Sequence, residues 1–176
     1  MLGSAILLLY TCYNEYMRIL GVDPGTATTG FAVIDIVGQQ RSVVDYGVIS
    51  TPPDHAMPFR LKTIYDDLTE LVGHHKPDCI AIEQLFFTNN ITTGISVGQA
   101  RGVVMLVGEQ HGLSLAEYTP LQVKQSVTGY GKATKSQVQQ MVKTILGLKE
   151  IPKPDDAADA LAIAICHGAT LKPSAI

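Results

Sequence analysis

Apolar residues recur along the chain at two different periods, and the switches between those periods divide it into elements. The run RILGVD, Arg18 to Asp23, is short and apolar and is closed by Pro24-Gly25, a pairing that stops a strand and opens a turn. GFAVIDI (Gly30 to Ile36) and RSVVDYGVI (Arg41 to Ile49) are β-rich runs separated by Gly38, so the three runs together predict an antiparallel meander. After Thr51-Pro52-Pro53 the period changes. Phe59, Leu61, Ile64, Leu68, Leu71 and Val72 return at helical intervals, and the helix they predict should stop between Gly73 and Pro77. CIAIE, Cys79 to Glu83, is nearly continuous in apolar character, the mark of a central strand covered on both faces.

Between Thr92 and His111, small and apolar residues such as Val97, Ala100, Val104 and Val107 recur at helical spacing and predict a core helix. Leu115 to Tyr118 reads as a short strand and Val123 to Val127 as a short helix. Gly129-Tyr130-Gly131 is a loop leading into a helix over Lys135 to Leu146, and a last helix runs from about Asp155 to Gly168. This order predicts an α/β domain, a mixed sheet with helices packed on it. No internal repeat or low-complexity tract interrupts it.

A chain of 176 residues suits one domain, and 46% hydrophobic against 16% charged residues is the balance of a protein with a filled interior. Cys12, Cys79 and Cys166 are far apart and odd in number, which argues against a disulfide framework and points to reducing cytosol. The net charge of -3 excludes a uniformly basic nucleic-acid binder, but the charge is unevenly spread. From Thr119 to Lys153 the cations Lys124, Lys132, Lys135, Lys143, Lys149 and Lys153 are opposed only by Glu150, the pattern of a stripe able to meet phosphate or of a solvated lysine face. The opening apolar run, Ala5 to Tyr10, is far shorter than the roughly 20 residues of a membrane span and lacks the flanks of a signal peptide. Residues 1–16 are therefore set aside as an extension or mis-assigned start. A domain over 17–170 and a tail over 171–176 are expected.

Asp23 and Glu83 each end a strand of apolar residues. A carboxylate taken out of water costs several kcal/mol unless it is paired, so two such acids at strand ends ask for a counterion or for exposure in a loop. Asp156 and Asp159 stand three residues apart and share one face of the last helix near its first turn. Asp155 and Asp156 also suit a helix start, where the dipole favours acids. Asp159 does not, because small and apolar residues surround it on a surface that should lie against the sheet. Hard carboxylate oxygens, with no cysteine or grouped histidine, select magnesium or manganese over zinc. If the four acids converge, two ions about 3.5 to 4 Å apart could activate a water and stabilise the oxygen leaving a phosphodiester.

The segments VDPGTATTG, IEQLFF, VGQARGVV, VKQSVTGYGKATKSQVQ and DDAADALAIAICH, in that order, resemble the RuvC crossover junction endonucleases from Met17 to about His167. The first alone is weak, since Asp-x-Gly-x-Thr after a strand also opens the phosphate loop of actin-like ATPases; all five together are specific. The resemblance implies a ribonuclease H-like mixed sheet, three antiparallel strands plus parallel ones, with helices on both faces. It implies a magnesium-dependent endodeoxyribonuclease that resolves four-way (Holliday) junctions by paired nicks in strands of like polarity during recombination and repair. It also implies a homodimer and the RuvAB branch-migration motor as partner, while the expected cytoplasmic location rests on the cysteine pattern above.

By the same resemblance the catalytic and metal-binding acids are Asp23, Glu83, Asp156 and Asp159, with Asp155 the alternative to Asp156. About two Mg2+ per site are implied, Mn2+ being able to substitute. Phe86 is the residue implied to stack near the junction centre, as an exposed aromatic can, and Lys124 and Lys135 are basic positions that hold phosphate. Lys132, Lys143 and Arg101 are further candidates for DNA contact. The stretch Gly94 to Leu106 offers an apolar helix face for the dimer. His74, His75 and His167 carry no evident chemistry. Competing readings are a ribonuclease acting on RNA–DNA hybrids, an ATP-binding module, for which one domain is too small, and a junction binder without activity.

Overall fold

A computed structural model describes residues 16–85 and 91–171. Its backbone forms ten elements: β1 (Tyr16–Asp23), β2 (Thr28–Val37), β3 (Gln40–Ser50), α1 (Met57–His75), β4 (Cys79–Glu83), α2 (Ile91–Gln110), β5 (Ser114–Tyr118), α3 (Pro120–Thr128), α4 (Lys135–Ile145) and α5 (Asp155–Thr170). The strands make one sheet in the order β3-β2-β1-β4-β5. β1 pairs antiparallel with β2 and β2 with β3, while β4 runs parallel to both β1 and β5. The expected meander therefore forms one half of the sheet, and the parallel strands form the other.

Side-chain alternation splits the interior into two layers. Ile19, Ala32, Ile34, Cys79 and Ala81 face α3, α4 and α5, and pack with Leu161, Ile165, Val123 and Val142. Leu20, Val22, Val33, Ile80 and Ile82 face the other way, toward Ile64, Leu68 and Val72 of α1 and Ala100, Val104 and Val107 of α2. Helices thus cover both faces. Cys79 and Cys166 are free thiols buried in the first layer. No helix among the described residues is long and apolar enough to cross a membrane.

Most boundaries move by one or two residues from the sequence reading, and two of the shifts have a visible cause. Tyr16, set aside with the opening segment, is paired with Val37, and its hydroxyl donates to Asp35 Oδ1 at 3.0 Å. α3 starts at Pro120, ahead of the expected Val123, because Thr119 and Gln122 close a reciprocal capping box on its first turn. Thr134 and Gln137 do the same for α4.

Helix α5 crosses the sheet unusually close to it, and two glycines make that approach feasible. A Cβ on Gly21 would stand 2.4 Å from the carbonyl oxygen of Ala160, and one on Gly30 would stand 2.0 Å from that of Asp156. Glycine inside a strand marks such a close backbone approach.

Candidate active site

The alternation that builds the core also delivers the acids. Ile19 and Gly21 face α5, so Asp23, two residues on, faces it as well; Cys79, Ala81 and Glu83 follow the same rule on β4. Val22 is in register with Ile82 across the parallel pair, which sets Asp23 beside Glu83 where the two strands end. The first turns of α5 arrive over this point because Gly30, the partner of Asp23 on β2, leaves room for the Asp156 backbone. A cleft of about 270 Å³ results, lined by Asp23, Glu83 and Asp159 together with Lys124 and Lys135.

The loop after Asp23 is fixed by threonines. Thr29 Oγ1 donates to the Gly25 carbonyl at 2.6 Å, and the Thr51 hydroxyl donates to the Thr26 carbonyl. Arg60 Nε in turn donates to Thr51 Oγ1 at 2.8 Å, tying α1 to the same loop. All three threonines are buried. The sequence reading missed this support; the threonine-rich run TATT after the Pro-Gly turn was its only local signal.

Charge is concentrated in the cleft. Burial pushes the Asp23 carboxyl up to about 7, reinforced by the neighbouring Asp159, Glu83 and Asp156 and opposed by Lys135. Glu83 is raised by burial and by Asp159, against the pull of Lys124. Asp159 is raised by burial, although Lys135 Nζ lies 3.0 Å from its Oδ2. Burial works against the Lys135 ammonium, yet its hydrogen bond to Asp159 and the charge of Asp155 hold it above the ordinary lysine value.

These shifts separate the two adjacent aspartates. Both act on Asp159, but only Asp156 also acts on Asp23, whereas Asp155 is exposed and engaged by Gln139 Nε2 at 3.0 Å and by Lys135 at 3.4 Å. The acids surround the cleft without closing on a point. Among the described residues no three His, Cys, Asp or Glu side chains are gathered tightly enough to grip one ion. Like charges repel, and the Lys135 ammonium holds Asp159, so a cation has to draw them in. The donor set fits a hard divalent ion: oxygen ligands only, in a pocket that already disfavours their ionisation.

Of the proposed DNA contacts, Lys124 and Lys135 stand at the cleft. Lys132 is exposed on the loop before α4, and Lys143 lies in the last turn of α4. Arg101 is not brought to the cleft; Glu117 Oε2 holds its guanidinium at 2.7 Å, an ion pair between α2 and β5 that local spacing could not announce. Phe86 lies outside the described residues. His167 Nδ1 is bonded to the Tyr118 hydroxyl at 2.7 Å and His75 Nε2 to Asp45 at 3.1 Å, so neither turns to the cleft.

Sequence and structure comparisons agree with this arrangement. A family model described as crossover junction endodeoxyribonuclease RuvC matches residues 19–167. The chain belongs to the RuvC family. It is 57% identical over 152 residues to the crossover junction endodeoxyribonuclease RuvC of Halothermothrix orenii, covering 86% of this chain and 92% of that protein. To the RuvC of Desulforamulus reducens it is 54% identical over 151 residues, 86% of this chain and 93% of the relative. The structure of T. thermophilus RuvC in complex with Holliday junction substrate superposes with a TM-score of 0.82 at 35% identity, over 86% of this chain and 92% of that one. The sheet order and the helices on both faces are those of a ribonuclease H-like RuvC domain.

Proposed function

We propose that this RuvC-family chain resolves four-way DNA junctions by paired, magnesium-dependent nicks in strands of like polarity, acting as a homodimer in the cytoplasm during recombination and repair. The observation that carries the reading is the gathering of Asp23, Glu83 and Asp159 in one cleft with Lys124 and Lys135, with Asp156 near enough to act on Asp23 and Asp159. A structural acid cluster has no need of such crowding, and a cleft for a polyanion has every need of the lysines.

Asp23 and Glu83, on rigid strand ends, and Asp156 and Asp159, on the first turns of α5, would hold two Mg2+, with Mn2+ able to replace them. When bound, such ions lower the pKa of a water and offset charge on the departing oxygen. Lys124 and Lys135 hold the scissile phosphate at the rim as point charges without reading sequence. In the hydrolysis the water oxygen forms a bond to phosphorus, one ester bond to a sugar oxygen breaks, the water proton leaves to solvent, and the departing sugar oxygen takes up a proton from solvent to become a hydroxyl. The near-neutral Asp23 must be ionised before it can serve as a ligand.

Two cuts on a two-fold junction match a two-fold enzyme. The outer face of α2 carries exposed Ile95, Met105 and Leu106, with Gly102 open between them, and is the surface for a second copy. Family membership brings the expectation of RuvAB as partner. Incubation with a synthetic mobile four-way junction, a linear duplex and an RNA–DNA hybrid, with magnesium and with EDTA, tests the reading. Symmetric nicking of the junction alone, with magnesium alone, is the expected result. Preference for the hybrid would replace it with a ribonuclease.

A further inference from the structure

The loop between α3 and α4, residues 129–134, holds an aromatic ring out into solvent on a backbone that is tied down at several points. Tyr130 is 58% exposed. Its N–H donates to Thr128 Oγ1 at 3.1 Å, the Thr128 hydroxyl in turn donates to the Lys124 carbonyl at 2.8 Å, and the Tyr130 carbonyl accepts from the Ala133 N–H at 3.1 Å. Gly129 ends α3 in the left-handed conformation, φ 72°, with its N–H on the Gln125 carbonyl at 2.8 Å. Gly131 sits so close to Leu121 that a Cβ there would meet the leucine Cδ1 at 2.7 Å. The loop is therefore fastened to α3 while its one aromatic side chain stands out into solvent.

Beside the ring is a hollow of about 300 Å³, walled by Tyr130, Thr128, Ala133, Gln137, Gln140 and Met141. α4 separates it from the catalytic cleft: Lys135 and Val138 line the cleft, while Gln137, Gln140 and Met141 line the hollow. The floor is apolar and the rim carries two amides. Gln137 spends its carbonyl oxygen on the Thr134 N–H at 2.8 Å, which leaves its amino group to address a ligand. The segment that builds the hollow, residues 119–149, contains five lysines and no acid, and Lys132 is exposed on the same loop as Tyr130.

We propose that this hollow is a nucleobase site, in which one unpaired base of the strand being cut stacks on Tyr130 and presents its edge to Gln137 and Gln140. The site rests on the DNA-nuclease reading above, and Lys132, exposed on the same loop, with Lys135 at the start of α4 on the cleft side, selects a nucleic-acid strand as occupant. An aromatic face with amides at its edge is the recognition chemistry of an unstacked base. A rigid loop adds to it, because little freedom is lost when the base arrives.

Synthetic four-way junctions carrying 2-aminopurine at single positions on either side of the nick provide the test. The full chain binds them in EDTA, and fluorescence and affinity are read for the parent, Tyr130→Ala and Tyr130→Trp. The parent is expected to quench the probe at one position of the cut strand. Tyr130→Ala should lose that quenching and bind about tenfold more weakly, and Tyr130→Trp should keep both. Quenching unchanged in Tyr130→Ala at every position overturns the nucleobase site and leaves the nuclease reading standing. A parent chain that neither binds nor cuts the junction overturns the nuclease reading and this site with it. Circular dichroism of the exposed-site variants is expected to match the parent, so loss of fold does not enter.

Discussion

Lys135 Nζ lies 3.0 Å from Asp159 Oδ2 and so joins the first turn of α4 to the second turn of α5 across the acidic cleft. The ammonium occupies the position of a counterion, which gives it two opposed effects. It lowers the repulsion among the acids, and it competes with a divalent ion for Asp159.

Lys135→Ala is therefore expected to separate binding from turnover. Without the ammonium, Asp159 is free and magnesium affinity stays level or rises. The phosphate loses its point charge, and single-turnover nicking falls on the order of 10²-fold, as for the loss of one preorganised electrostatic contact. Nicking rates against magnesium concentration measure both. A loss that excess magnesium restores in full would assign Lys135 to metal binding alone.

Asp23 gives a prediction in pH. Its folded carboxyl is pushed up to about 7 from 3.8, so the folded chain binds a proton that the unfolded chain has released between those values. Its contribution to stability is fully present below about pH 4 and is lost as pH rises through 7. At pH 8 without metal, Asp23→Asn should melt above the parent, by a margin on the order of 2 kcal/mol. The same variant should bind junctions and not cut them. For the parent, magnesium affinity should fall about tenfold per pH unit below 7, as a proton displaces the ion. Thermal melts at pH 5 and 8 with EDTA, and magnesium titrations at pH 6, 7 and 8, check these signs.

Asp155 and Asp156 should behave differently despite adjacency. Asp156 perturbs Asp23, whereas Asp155 is exposed and engaged by Gln139 and Lys135. Asp156→Asn is expected to remove nearly all nicking and Asp155→Asn to change it by less than about fivefold, the scale of a surface ion pair. Equal losses would show that both carboxylates serve the reaction.

Much of this site was legible in the sequence because strand alternation is a local rule. Asp23 ends RILGVD and Glu83 ends CIAIE, and period two puts both on the side of Ile19 and Cys79. Their adjacency required one further fact, the parallel pairing of β1 with β4, and that belongs to the sheet. The ion pair of Arg101 with Glu117 and the anchoring of Thr26 by Thr51 were not legible, since each joins residues of different elements whose approach only the fold decides. Tyr130 was passed over for another reason. A Gly-Tyr-Gly loop reads as punctuation, and its exposed ring acquires meaning only with the hollow beside it.

Gly30 is the position where fold and chemistry depend on one absent side chain. It is paired with Asp23 across β1 and β2, so any side chain there would point to the α5 face beside the Asp23 carboxylate. Its Cβ would lie 2.0 Å from the Asp156 carbonyl oxygen, a backbone atom that cannot turn aside. Gly30→Ala must therefore lift the first turns of α5, carrying Asp156 and Asp159 away from Asp23 and Glu83. Overpacking of this kind costs about 1–3 kcal/mol, so the variant should fold with a lowered melting temperature. A displacement of about 1 Å in a catalytic group is enough to cost 10²-fold in rate, and nicking should fall at least that far at a temperature where the variant remains folded. Gly73→Ala, on α1 with open space at the same atom and away from both the cleft and the outer face of α2, is the control and should lower neither melting temperature nor metal affinity. Full activity in Gly30→Ala would mean that the reaction does not need α5 where the sheet now holds it.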